Sequence, residues 1–72
     1  MKTYAVSFVS FFENLLDIRK IKANNAKVAM IMYLRYVREW DCEDWLDSNI
    51  TEEEIRKCVS EQDCSIAFLE IS

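Results

Sequence analysis

The stretch Phe11-Phe12-Glu13-Asn14-Leu15-Leu16-Asp17-Ile18-Arg19-Lys20-Ile21-Lys22-Ala23 decides the fold, because it reads both as the second arm of a hairpin and as an amphipathic helix. As a helix, Ser10 with Glu13 makes a capping box. Phe11, Phe12, Leu15 and Ile18 then share one face, and Glu13, Asp17 and Lys20 another. As a strand, Glu13-Asn14 turns the chain back and Leu16, Ile18 and Ile21 follow. The strand is favoured, since Ile21-Lys22-Ala23 before Asn24-Asn25 has the form of a strand running into a helix N-cap.

On the N-terminal side, Lys2 to Ser10 alternates: Tyr4, Val6 and Phe8 lie on one side, with Ala5, Ser7 and Val9 on the other. Aromatic and β-branched residues dominate it, which predicts a strand. On the C-terminal side, Asn25 to Trp40 is a helix with Ala26, Ala29, Met30, Tyr33, Val37 and Trp40 on one face. Val28, Ile31 and Met32 extend the apolar arc past half the circumference, so this helix is either covered twice or meets a partner.

Thr51 with Glu54 is a capping box, and Ile50 before it is placed to staple onto Ile55. The second helix therefore starts at Thr51 and should end near Gln62. It turns Ile55, Cys58 and Val59 inward, and Glu52 with Arg56 and Glu53 with Lys57 stand four apart in the favourable order. Ser65 to Ile71 is a strand apolar on both faces, which places it in the middle of a sheet. The expected fold class is α+β, a single domain over residues 1–72: a small antiparallel three-stranded sheet packed by one long and one short helix, in the order ββααβ.

A chain of 72 residues buries only about 60% of its unfolded surface, so the core is small and self-association would help it. No apolar run reaches the roughly 20 residues of a spanning helix, and no signal-peptide pattern opens the chain, so a cytoplasmic location without membrane contact is expected. The cysteines Cys42, Cys58 and Cys64 are odd in number and form neither a CxxC pair nor a zinc set, and read as reduced, packed thiols. With no His, Gly or Pro there is no Ser/His or Cys/His pair and no glycine loop for phosphate. No catalytic residue, cofactor or metal is expected, and the protein reads as no enzyme. Asp41, Glu43, Asp44 and Asp47 lack the spacing and turn glycine of a calcium loop.

Charge is divided unevenly. Met1 to Arg38 carries seven basic and two acidic residues, whereas Glu39 to Ser72 carries eleven acidic and two basic, making the halves +5 and −9. Glu52, Glu53 and Glu54 occupy the first turn of a capped helix, where the macrodipole alone favours carboxylates. Glu39, Asp41, Glu43, Asp44 and Asp47 need another account: a solvated face, or an anionic site for a basic protein. If the segment is mostly helical, its carboxylates fall about 3 Å apart, near the roughly 3.4 Å charge spacing of a single nucleic-acid strand. Trp45, flanked by Asp44 and Leu46, is the candidate apolar anchor, able to stack with an incoming Arg. Trp40 reads as a core residue. Lys20, Lys22 and Lys27 cluster near the strand–helix junction, but a pI of about 4.7 argues against direct nucleic-acid binding.

In its small size, its acidic run from Glu39 to Glu54 and the junction Ile21-Lys22-Ala23-Asn24-Asn25-Ala26, the chain resembles small phage-encoded inhibitors of bacterial defence, the anti-CRISPR type. The resemblance is one of size, charge and architecture and carries over no residues. It implies a partner that is a basic protein or nucleoprotein effector, blocked at its nucleic-acid-binding or nuclease surface. The functional expectation is a non-enzymatic inhibitor whose partner-binding residues are Glu39, Asp41, Glu43, Asp44, Trp45 and Asp47. The alternative is a homodimeric assembly module with Val28, Ile31 and Met32 as its seam.

Overall fold

Strand β1 (Lys2–Ser10) sends Tyr4, Val6, Phe8 and Ser10 to one side, where all four are buried, and leaves Thr3, Ala5, Ser7 and Val9 half-exposed on the other. The structure, a computed structural model, describes residues 1–71. β2 (Leu15–Ala23) returns antiparallel to β1 in continuous register from Ser10↔Leu15 to Lys2↔Ala23. Residues 11–23 therefore form a hairpin arm, as favoured from the sequence. Ser10 and Glu13 do interact, but to close the turn: the buried Ser10 Oγ accepts the Glu13 N–H at 3.2 Å, and Asn14 takes the left-handed conformation that asparagine tolerates.

β3 (Cys64–Glu70) pairs antiparallel with the other edge of β1, from Ser10↔Cys64 to Tyr4↔Glu70, giving the strand order β2-β1-β3. The fold is α+β, and β1 is the central strand. The expected central place of β3 is thus corrected. It is an edge strand, and its second apolar face is uncovered rather than sandwiched. β2 and β3, both antiparallel to β1, run parallel to each other, so the chain between them is a crossover that carries both helices over one side of the sheet.

Helix α1 (Ala26–Tyr36) is capped by Asn25, whose side chain accepts the Val28 N–H at 2.9 Å. It ends four residues before the expected Trp40. The Trp40 N–H donates to the Leu34 carbonyl at 2.9 Å, and Glu39 sits at φ 60°, so the chain reverses without the glycine that usually marks such a stop. Trp40 consequently lies in a loop. Ile31 is also corrected: it is fully buried in the core, while Val28 and Met32 are half-buried against it, so the three do not form a free dimer seam.

α2 (Glu52–Ser60) begins with the predicted capping box, the Thr51 hydroxyl accepting the Glu54 N–H and the Glu54 carboxylate accepting the Thr51 N–H. Ile55 and Val59 are buried and Cys58 is half-buried. The expected pairs from Glu52 to Arg56 and Glu53 to Lys57 are not closed; the ion pairs among the described residues are Lys2–Glu70, Arg19–Asp17 and Arg35–Glu43.

Between sheet and helices, Tyr33 of α1 lies over Phe8, with ring centroids 5.6 Å apart, and its hydroxyl donates to Asp17 of β2 at 2.8 Å. This bond is the main reason the Asp17 carboxyl titrates below its ordinary 3.8; burial opposes the shift, and Arg19 adds to it. Burial first, and then the same bond, push the Tyr33 phenol up to about 12. A depressed Asp17 pKa contributes stability that is present above the ordinary carboxylate pKa and lost as pH falls through the carboxylate range. A raised phenol pKa contributes stability present below pH 10 and lost as pH rises toward about 12.

In urea titrations across pH, Tyr33→Phe should therefore weaken both dependences at a cost of about 1 kcal/mol. Asp17→Ala should cost more, because it leaves the Tyr33 hydroxyl without its acceptor. Glu39→Gly should raise Tm by a few degrees: release of a left-handed non-glycine residue, worth about 1–2 kcal/mol, outweighs the added freedom of the unfolded chain. A lowered melting temperature would contradict that account of the helix end.

Candidate partner-binding surface

The acidic segment after α1 is a pinned loop. Cys42 plugs into the core, its thiol facing the Ile31 carbonyl at 3.8 Å, and burial pushes that thiol's pKa up. A single 3-10 turn, Glu43–Leu46, follows. Arg35 of α1 forms an ion pair with Glu43, and the Lys27 ammonium donates to the Ser48 carbonyl at 2.7 Å, so the loop is tied to α1 at two levels. The mostly helical course assumed for its charge spacing is corrected: no α-helix runs between Val37 and Thr51, and the carboxylates do not form a linear ladder.

The six expected partner-binding residues differ in exposure and pairing. Glu39, Asp41, Asp44 and Asp47 are exposed and make no ion pair or side-chain hydrogen bond among the described residues. Glu43 is also exposed, but Arg35 neutralises it. Trp45 is half-buried, one side packed on the core.

Trp45 and Asp41 meet at an open cleft of about 830 Å³ between this loop, the β1–β2 turn and the end of α2. Its aromatic wall comprises Phe8, Phe12, Trp40 and Trp45, with Trp40 set edge-on to Phe8 at 6.1 Å and 90°. Four carboxylates, Glu13, Asp41, Glu61 and Asp63, also line it, against one cation, Arg38. The Arg38 guanidinium lies 5.5 Å from the centre of the Phe8 ring, and its Nε is buried without a hydrogen-bond partner. Asp44 and Asp47, on the 3-10 turn and at its end, do not line the cleft, nor do Glu39 and Glu43.

Sequence reasoning missed Phe12, Glu13, Glu61 and Asp63. They converge because β1 pairs with β3 at Ser10↔Cys64, which brings the β1–β2 turn beside the α2–β3 turn, where the Phe11 N–H donates to the Asp63 carbonyl at 2.9 Å. No local signal encodes that pairing. The sequence also treated Trp40 as a core residue on a helix, whereas it is half-buried and forms part of the cleft wall.

Aromatic faces surrounded by unpaired carboxylates suit a cationic, partly apolar group: the ring quadrupole and the negative potential act on the same guest. Among the described residues no three His, Cys, Asp or Glu side chains converge as metal ligands do, and no helix is long and apolar enough to cross a membrane. Comparison with known proteins finds no matching family, no matching curated protein and no matching solved structure.

Proposed function

We propose that the protein is a non-enzymatic inhibitor that docks its acidic loop on a basic nucleic-acid-binding surface of a partner, such as a bacterial defence effector, and acts by occupying that surface. The observation that carries this reading is the cleft in which Trp40 and Trp45 stand among Glu13, Asp41, Glu61 and Asp63. A partner's arginine entering it stacks on indole and exchanges hydration for carboxylates. Arg suits the site better than Lys because its planar guanidinium stacks and forks to a carboxylate. Asp44 and Asp47, exposed on the same loop as Trp45, supply long-range attraction over roughly the 8 Å Debye length at physiological salt. With the carboxylates on an irregular loop, the reading rests on this local pocket and its field rather than on a phosphate-like spacing.

The test uses an arginine-rich peptide, with tryptophan fluorescence as the readout. Asp44→Lys combined with Asp47→Lys should weaken binding about tenfold or more, a loss of about 1.4 kcal/mol, with an unchanged melting temperature. Added salt should slow association of the wild type and have less effect on the variant. Trp45→Ala should weaken binding while preserving the salt dependence, and a lysine-rich peptide of equal length should bind less tightly. Equal affinity in wild type and charge-reversed protein would remove the acidic loop from the mechanism.

A further inference from the structure

The side of the sheet turned away from both helices has no cover among the described residues. On it, β2 presents Leu16, Ile18, Lys20 and Lys22, β1 presents Thr3, Ala5, Ser7 and Val9, and β3 presents Ser65, Ala67 and Leu69. Leu16, Ile18 and Leu69 are 69%, 62% and 65% exposed. Leu16 and Ile18 adjoin on β2, and Leu69 stands across β1 from them on the same face; exposed large aliphatic side chains of this kind on a small protein mark an association surface.

We propose that this face is a homodimer interface in which two copies stack sheet on sheet about a twofold axis running along β1. The register supplies the argument. At the level of Val9, the large Leu16 on one edge is matched by the small Ser65 on the other. At the level of Ser7, Ile18 is matched by Ala67.

A twofold axis along β1 keeps each level and exchanges the edges, so Ile18 of one copy lies over Ala67 of the other and Leu16 over Ser65, twice in each dimer. At the level of Ala5 the same operation lays the aliphatic stem of Lys20 over Leu69 and keeps the two copies of Lys20 on opposite edges. The middle row of Ala5, Ser7 and Val9 stacks on itself, and its small residues permit close approach near the usual sheet separation of about 10 Å.

Charge does not oppose this arrangement. This face carries two lysines and no carboxylate on its three strands, so two copies related in this way bring no like charges into contact. Three strands spaced about 4.8 Å apart and up to about 30 Å long give a plan area of roughly 400 Å². That is about half of the roughly 800 Å² per partner of a standard interface, so the dimer belongs with weak, concentration-dependent associations. It uses the side of the sheet opposite the acidic cleft and stands independently of the proposed inhibitory role. The dimer would present two clefts facing away from each other.

Sedimentation velocity from micromolar to millimolar protein should show the wild type passing from monomer to dimer. Methyl resonances of Leu16, Ile18 and Leu69 should shift on dilution, while Leu46, which lies outside this face, should not. Ile18→Lys and Ala67→Glu, at positions already in contact with solvent, should each remain monomeric with an unchanged circular dichroism spectrum. An equimolar mixture of the two variants should recover association, since the introduced ammonium of one and the introduced carboxylate of the other meet only across the proposed axis. A wild type monomeric at millimolar concentration would overturn the proposal, as would a mixture that does not associate. A monomer that instead binds vesicles of anionic phospholipid, with Ile18→Glu abolishing that binding, would assign the face to lipid and overturn the dimer.

Discussion

Tyr4, Val6 and Phe8, spaced two apart on the central strand, form the floor on which every other element of the core rests. α1 lays Met30, Tyr33 and Leu34 over them, α2 contributes Ile55 and Val59, and β3 brings Ile66 to the flank. At roughly 1.5–3 kcal/mol for each large side chain fully withdrawn from water, these contacts are the dominant stabilising term in so short a chain. The hydrogen bond from Tyr33 to Asp17 adds direction to a packing that is otherwise non-directional, tying α1 to the strand farthest from β3. A crossover from β2 to β3 has to pass on one side of β1. The same constraint that builds the core therefore leaves the opposite side of the sheet bare.

The candidate site follows from that arrangement at one remove. β1 ends at Ser10, and both its neighbours turn there, so the β1–β2 turn, the α2–β3 turn and the loop after α1 gather at one end of the sheet. Each turn is built without glycine, and Asn14, Glu39 and Asp63 take left-handed backbone conformations instead. Two of those three are acidic, and Asp63 carries its charge directly into the cleft lining. Backbone reversal and negative potential are thus supplied by the same residues. The loop itself is held by Cys42 in the core and by two basic residues of α1, which fixes Trp45 against the protein while its neighbours stay in solvent.

Much of the secondary structure was legible in the sequence because its signals are local. The alternation of β1, the Asn25 cap and the Thr51–Glu54 capping box each involve residues within a few positions of one another, and each appears as read. The end of α1 was not legible: helical periodicity continues through Val37 and Trp40, and the reversal is set by a glutamate in a conformation that no residue preference announces. The place of β3 was misread for a different reason. Apolar residues on both faces normally signal double cover, and here they signal a face left open by the crossover. For the site, the acidic loop and Trp45 could be named from composition, whereas Glu13, Glu61 and Asp63 join them only through a strand pairing more than fifty residues apart in sequence.

The free edge of β2 has its own consequence for how copies of this chain can meet. An edge strand offers unpaired backbone groups to any passing strand, and continuous addition there leads to ribbons and fibrils. Here that edge carries Arg19, Lys20 and Lys22 nearly in succession. A second copy approaching β2 to β2 would bring two rows of cations within about 5 Å of each other. The basic residues of this strand thus disfavour the isologous contact in which two copies would join β2 to β2.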